Sequence, residues 1–225
     1  RLSQEIDIRV DENPTTGIVS VSMANGLPLV NGDRSYKLET STSPENPAQT
    51  IVSYVDASGN SLRLDESKTS GGNLGGLFKF RNEDLVNALN DLNMMALQMA
   101  DRFNEVNGQG YDLNGNPGED LFSYKNPTAY PNLNNAGNAT FDVSYTSVKD
   151  VQAQDYTITF KGPGQDDWEV TRADGSKVTP TIGENGELEF DGLSLSPGGT
   201  PQPGDSFRMN SVENVSGSLK VAITS

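Results

Sequence analysis

The residues with the most chemistry to offer are oxygen donors. Asp112, Asn114, Asn116 and Asp120 fall close to the spacing of a calcium loop, in which carboxylate and amide oxygens surround a hard cation. The pattern departs from that loop at two defining places. Pro117 stands where the sharp turn needs glycine, and Ser123 stands where a bidentate glutamate closes the shell. An Asx-rich turn after a helix accounts for the same residues, and no metal or other cofactor is expected. Three acidic groups, Glu119/Asp120, Asp166/Asp167 and Glu187/Glu189/Asp191, carry carboxylates of the kind that glycoside hydrolysis uses. That chemistry needs two carboxyls facing each other across a pocket with their pKa values pushed apart; adjacent acids in turn-rich sequence read as solvated faces. Histidine and cysteine are both absent. Their absence removes the commonest general base, thiolate chemistry, disulfides and every Ser–His or Cys–His arrangement. The expectation is a protein that is not an enzyme.

Composition narrows the partners. The 225 residues carry a formal net charge of −15. A surface that acidic repels nucleic acid and anionic membranes, and no stretch approaches the roughly 20 apolar residues of a membrane span. Trp168 sits on an alternating run, where a half-buried sheet residue is a simpler reading than a sugar-stacking platform. The pairs Gly71/Gly75 and Gly72/Gly76 have small-xxx-small spacing without a membrane segment around them; they suit close backbone packing where strand gives way to helix.

The elements that must position these residues are mostly strands. Residues 1–72 read as hairpins: Ile6/Ile8/Val10 and Val19/Val21/Met23 alternate, and Asn25-Gly26 before Leu27 and Leu29 is a strong type I′ hairpin signal. Asp56 to Asn60 marks a second turn between Val52/Tyr54 and Leu62/Leu64. Residues 111–140 form a turn-rich connector. Residues 141–225 return to alternation, at Phe141/Val143/Tyr145, Tyr156/Ile158/Phe160, Trp168/Val170, Leu188/Phe190, Leu193/Leu195, Phe207/Met209 and Leu219/Val221/Ile223, with Gly turns between most runs, as in an antiparallel sandwich or barrel. The predicted fold class is α+β, with mostly antiparallel β segments flanking one long amphipathic helix.

That helix, 73–110, changes the period. Leu85, Leu89, Leu92, Ala96, Met99, Phe103 and Val106 step alternately by four and three, a heptad seam. Ala88, Met95 and Ala100 widen it to a band of roughly 140°. Asn73 is placed to cap the start and Asn107-Gly108 to end the helix, giving a length of about 50 Å at ~1.5 Å per residue. Two partners for the seam stay open: the β core of this chain, or helices outside it. The 3.5-residue period suits helix-on-helix packing, and no other segment here carries a matching seam.

Several collinear runs resemble the flagellar hook-associated protein 1 family. Gly71-Gly72-Asn73-Leu74-Gly75-Gly76-Leu77-Phe78-Lys79-Phe80-Arg81 resembles its GG-x-LGGL-x-x-FR run, and Leu92 with Leu97, Ala100, Phe103 and Asn104 resembles its helix. Gly110-Tyr111-Asp112-Leu113-Asn114-Gly115-Asn116, followed by Gly118, Asp120 and Phe122, is similar to its next loop. Met23 to Gly32 is similar upstream, and Asp155-Tyr156, Trp168 to Arg172, Phe190 to Leu193 and Gly204 to Phe207 are similar downstream. The resemblance covers nearly the whole chain. It implies a rod-like structural subunit of the bacterial flagellum, an adaptor joining hook and filament, with terminal helical regions that line the axis and β domains that project outward. On that resemblance the chain is an internal fragment of a protein exported through the flagellum-specific type III apparatus without a cleaved signal, and its location is extracellular. The implied partners are other copies in a ring, the hook protein, the second hook-filament junction protein and an export chaperone bound through the missing terminal region. The helix is implied to join the terminal helices in a bundle. In such a protein the sequons at Asn138 and Asn214 carry no meaning. The rival readings are another flagellar axial protein, an extracellular β-rich adhesin or carbohydrate-binding module with a concave aromatic platform, and a hydrolase.

Overall fold

The computed structural model describes residues 1–164 and 167–222. Asp166 of the second acidic pair and Ile223 of the last alternating run lie outside the described residues. The fold is α+β, with antiparallel sheets and a long helical run. Contacts divide the chain into two compact units, one of Arg1–Ser43 with Pro47–Asn87, the other of Pro44–Asn46 with the chain from Ala88 onward.

The first unit opens with a short helix α1 (Leu2–Glu5) and a four-stranded meander, β1 (Ile8–Glu12), β2 (Val19–Met23), β3 (Pro28–Asn31) and β4 (Arg34–Ser35). A second sheet follows, β5 (Lys37–Thr42), β6 (Thr50–Val55) and β7 (Ser61–Arg63). Ile6, Met23, Leu29, Tyr54 and Leu64 are buried together, with Leu74 of the next helix packed against them. The β2–β3 turn corrects the expected type I′ geometry. Only Gly26 has positive φ, and its N–H donates to the Met23 carbonyl at 2.8 Å. The connection is therefore a three-residue loop with glycine in the left-handed position, the form that carries a bulge, and the β2–β3 register shifts between Val21 and Ser22.

The helical run is built from α2 (Gly72–Lys79), a π turn over Phe80–Asp84, and α3 (Leu85–Gly108). The π turn interrupts the uniform helix expected from sequence. Asn73 does not cap: Gly71 holds the N-cap position, and the Asn73 amide donates to the Glu5 carboxylate at 3.1 Å. Gly72 has φ +68°, and a Cβ there would lie 2.6 Å from the backbone of Glu5 and Ile6. One at Gly75 would lie 2.5 Å from the Ser70 backbone. The glycines thus let the chain pass close to itself where α2 begins. Gly76 meets nothing within 4 Å.

The second unit is a two-sheet sandwich with α3 against a smaller cluster. Its strands are β8 (Phe122–Ser123), β9 (Tyr130–Pro131), β10 (Thr140–Tyr145), β11 (Asp155–Phe160), β12 (Trp168–Arg172), β13 (Lys177–Val178), β14 (Thr181–Ile182), β15 (Leu188–Phe190), β16 (Leu193–Gly198), β17 (Ser206–Asn210) and β18 (Lys220–Val221), with a short helix α4 (Val215–Ser218). One sheet runs β10-β16-β15-β14, the other β13-β12-β11-β17-β9, and β18 pairs with β8. Alternate residues of both main sheets meet in one core, among them Phe141, Leu193 and Leu195 from the first and Tyr156, Ile158 and Phe207 from the second. Trp168 is buried there, its ring edge-on to Phe141 at 4.9 Å. It is a core residue, and it offers no sugar platform.

Two carboxylates, Asp205 buried and Asp191 half-buried, organise the sandwich. Asp205 accepts from the backbone N–H groups of Ala136, Gly137 and Gln202 at 2.8 to 3.0 Å. Asp191, in the left-handed region at φ 45°, is gripped by the Arg172 guanidinium at 2.9 to 3.1 Å and by the Tyr156 hydroxyl at 2.7 Å. Burial, then the Asp191 bond, holds the Tyr156 hydroxyl well above the usual phenol range.

Candidate functional site

α3 presents two different faces. On one, Leu97 and Ala100 are fully buried and Asn93 nearly so, with Leu97 in a cluster with Val148, Val151, Val212 and Val215. Asparagines flank this apolar pair and tie the helix to the segments around it. Asn90 donates to the Ala153 carbonyl at 3.3 Å and accepts from the Asn210 amide at 2.9 Å. Asn93 accepts from the N–H and the hydroxyl of Ser216. Asn104 accepts from the N–H groups of Leu121 and Phe122 at 2.9 Å and donates to the Phe122 carbonyl at 2.8 Å. Asn107 donates to the Glu119 carbonyl at 2.6 Å. Residues 90, 93, 97, 100, 104 and 107 recur at steps of three and four, so they form one stripe. Amides suit this job because each can donate and accept at once.

The other face lies about 100° round the helix at ~100° per residue. It holds the predicted seam. Leu85 is 39% exposed, Leu89 47%, Leu92 52%, Met99 41%, Phe103 52% and Val106 51%. Ala96 is half-buried at the edge of the valine cluster. Met95, at the edge of the seam, is also largely exposed. Phe103 makes one aromatic contact within the chain, edge-on to Phe122 at 5.8 Å. Ala100, counted with this band from the sequence, belongs to the docked face. The structure brings the seven predicted residues onto one side of the helix and leaves six of them open to solvent.

The oxygen-donor loop resolves as a turn. Asp112 Oδ1 accepts from the N–H groups of Asn114 and Asn116 at 2.8 Å, and Oδ2 accepts from the Asn116 amide at 3.0 Å. The Gly115 N–H closes the turn on the Asp112 carbonyl at 3.1 Å. These bonds, the Asn116 side chain first, hold the Asp112 carboxyl below its ordinary value. Asp56 with Ser58, Gly59 and Asn60 repeats the construction in the β6–β7 hairpin. Among the described residues no group of three or more acidic side chains is placed to hold a metal ion. The third acidic group is likewise in structural use: Glu187 accepts from the Asn185 N–H at 3.0 Å, and Asp191 serves Arg172. Among the described residues no helix is long and apolar enough to cross a membrane.

Comparison with known proteins points the same way. The model for the flagellar hook-associated protein FlgK helical domain matches residues 1–122, and that for the D2-like domain of flagellar hook-associated protein 1 matches residues 130–211. Flagellar hook-associated protein 1 of Salmonella typhimurium is 39% identical over 210 residues, covering 92% of this chain and 37% of that protein. Its Escherichia coli counterpart is 36% identical over 209 residues, covering 92% and 38%. The chain thus spans less than two-fifths of the length of the curated relatives it matches. The solved structure of the flagellar hook junction protein FlgK from Burkholderia pseudomallei aligns with a TM-score of 0.81 at 32% identity, over 99% of this chain and 41% of that one. With a family model matching more than half its residues and a fold that follows a FlgK structure from end to end, this chain belongs to the flagellar hook-associated protein 1 (FlgK) family.

Proposed function

We propose that the chain works by assembly, as part of an adaptor that joins hook to filament in the bacterial flagellum, with the face Leu85, Leu89, Leu92, Ala96, Met99, Phe103 and Val106 as a helix-packing interface. The observation that carries this reading is the exposure of that face on a helix whose adjoining side is already docked. Covering a half-exposed leucine is worth about 1 kcal/mol, given ~1.5–3 kcal/mol for full burial, so six such residues supply a substantial driving force. The 3.5-residue period fits a helix as the covering element. Sequence outside the matched region of the relatives provides room for such helices.

The partners in this reading are other copies arranged in a ring, the hook protein and the second hook-filament junction protein. An export chaperone acts through a terminal region outside these residues. The location is the extracellular flagellum, reached without a cleaved signal, and neither nucleic acid nor membrane is a partner. Catalysis has no part in it, since Asp191 and Glu187 are committed to holding turns and strands.

The test is Leu92→Asp in the full-length subunit. The expected result is loss of filament attachment and motility, with near-wild-type unfolding of residues 1–225 carrying the same change. Normal swimming on normally attached filaments would refute the assignment.

A further inference from the structure

β1 is the end strand of its sheet and pairs with β2 alone. At the two ends of that ladder the Ala24 N–H donates to the Asp7 carbonyl at 3.0 Å and the Asn13 N–H to the Ile18 carbonyl at 2.9 Å. Backbone direction alternates along a strand, so Arg9 and Asp11 turn their N–H and C=O groups toward β2. Those of Ile8, Val10 and Glu12 point away from it, and among the described residues no backbone hydrogen bond reaches them. Such an edge is a template for another strand. Its side chains are exposed from Arg9 to Glu12. Val10, 58% exposed, shares a face with Val19, 42% exposed, and Val21 of β2. Arg9 and Asp11 stand on the opposite face, and among the described residues neither is in an ion pair.

We infer that this edge pairs with the same edge of a second copy, antiparallel about a twofold axis at Val10. Arg9-Val10-Asp11 is charge-complementary to its own reverse. With Val10 opposite Val10 of the second copy, Arg9 lies opposite Asp11 and Asp11 opposite Arg9, while Ile8 and Glu12 exchange backbone hydrogen bonds. The two charged couples are then non-hydrogen-bonded pairs, whose Cα atoms approach to about 4.5 Å and whose side chains lie closest. On the other face the valines of the two sheets join across the axis. Shifting the pairing one step either way sets Arg9 against Arg9 or Asp11 against Asp11, so the charges fix the register. The contact is isologous and closes on itself. A twofold axis sets its two copies in opposed directions, whereas copies around a ring point the same way. The pair therefore belongs to the free subunit and parts before that subunit joins a ring. The α3 face takes no part in it.

The absence of native cysteine makes the test direct. Hydrogen-bonded antiparallel partners have Cα atoms about 5.5 Å apart, within the roughly 4.4–6.8 Å that a disulfide spans. V10C and L62C are oxidised in residues 1–225 and in the full-length subunit, and the rate of disulfide-linked dimer formation is measured. Leu62 is also 58% exposed but lies in a different sheet. V10C should cross-link about tenfold faster than L62C in both chains, because pairing holds its thiols together. Adding R9D or D11R to V10C sets like charges opposite each other and should return the rate to that of L62C. R9D and D11R together reverse both couples and should restore the fast rate, as should mixing the V10C/R9D chain with the V10C/D11R chain. A V10C rate no faster than that of L62C, or a fast rate indifferent to R9D, would overturn the inference. Fast cross-linking in residues 1–225 with slow cross-linking in the full-length subunit would assign the edge to another segment of that subunit; it too would overturn the pairing proposed, and it would leave the α3 assignment untouched.

Discussion

Asn93 Oδ1 accepts two hydrogen bonds from Ser216, one from its backbone N–H at 2.9 Å and one from its hydroxyl at 2.6 Å. One side chain thus joins α3 to the start of α4, and it sits four residues from the wholly buried Leu97. A residue that looks like solvent-facing polarity in the sequence is a pin.

The two faces of α3 should therefore respond oppositely to mutation in residues 1–225. Asn93→Ala leaves the Ser216 donors unpaired in a buried setting and should cost about 1–3 kcal/mol. Leu97→Ala should cost about 2–5 kcal/mol through loss of burial and a residual cavity. Leu92→Ala, one turn from Ala96 on the open face, should stay within about 0.5 kcal/mol of wild type. Urea unfolding followed by circular dichroism measures all three.

What the sequence conveys about this helix follows from that contrast. The seam Leu85 to Val106 was legible because an apolar period announces a face regardless of what covers it. The asparagine stripe was not, because a buried amide and a solvated amide have the same place in a polarity pattern; only the backbone it bonds tells them apart. The π turn left no mark either, since Phe80 to Asp84 contains neither glycine nor proline. The strands of the sandwich were readable from alternation at Tyr156/Ile158/Phe160 and Phe207/Met209. The Asn25-Gly26 hairpin was placed correctly but given the wrong turn, because the dipeptide fits both the type I′ turn and the three-residue loop with its glycine at positive φ.

Two neighbouring glycines should behave in opposite ways. Gly72→Ala places a Cβ 2.6 Å from the Glu5 and Ile6 backbone at a positive φ, and should destabilise the first unit by more than about 2 kcal/mol. Gly76→Ala adds a methyl group in open space within a helix and should stabilise residues 1–225 by about 0.5–1 kcal/mol. Thermal unfolding of the two variants decides this.

The Asp112 turn makes a prediction about acid and about calcium. The folded-state carboxyl lies below its ordinary value, so the turn's contribution is present above the unfolded pKa and is lost as pH falls through the folded one. Carboxyl NMR titration should show Asp112, and Asp56 with it, ionised to lower pH than a free aspartate. Calcium at about 1 mM, enough to fill weak extracellular sites, should leave the Asp112 resonances unmoved.

The partly buried pair Arg172–Asp191 should be sensitive to loss of one partner. Arg172→Ala leaves the Asp191 carboxylate, whose side chain is 13% exposed, without the guanidinium at 2.9 Å and should destabilise the sandwich. Tyr156→Phe removes one hydrogen bond to the same carboxylate and should cost about 1 kcal/mol. Both are read from chemical unfolding of residues 88–225, or of residues 1–225 if that piece does not fold alone.

The methionines offer native probes of the central claim, that the open face of α3 is covered in the complete subunit. Met209 is fully buried, whereas Met95 is 69% exposed and Met99 41%. With methyl-labelled methionine and a soluble paramagnetic agent, residues 1–225 should show strong broadening at Met95 and Met99 and little at Met209. In the full-length subunit the account predicts that Met99 becomes as protected as Met209; a Met99 methyl that stays as accessible as in residues 1–225 would contradict it.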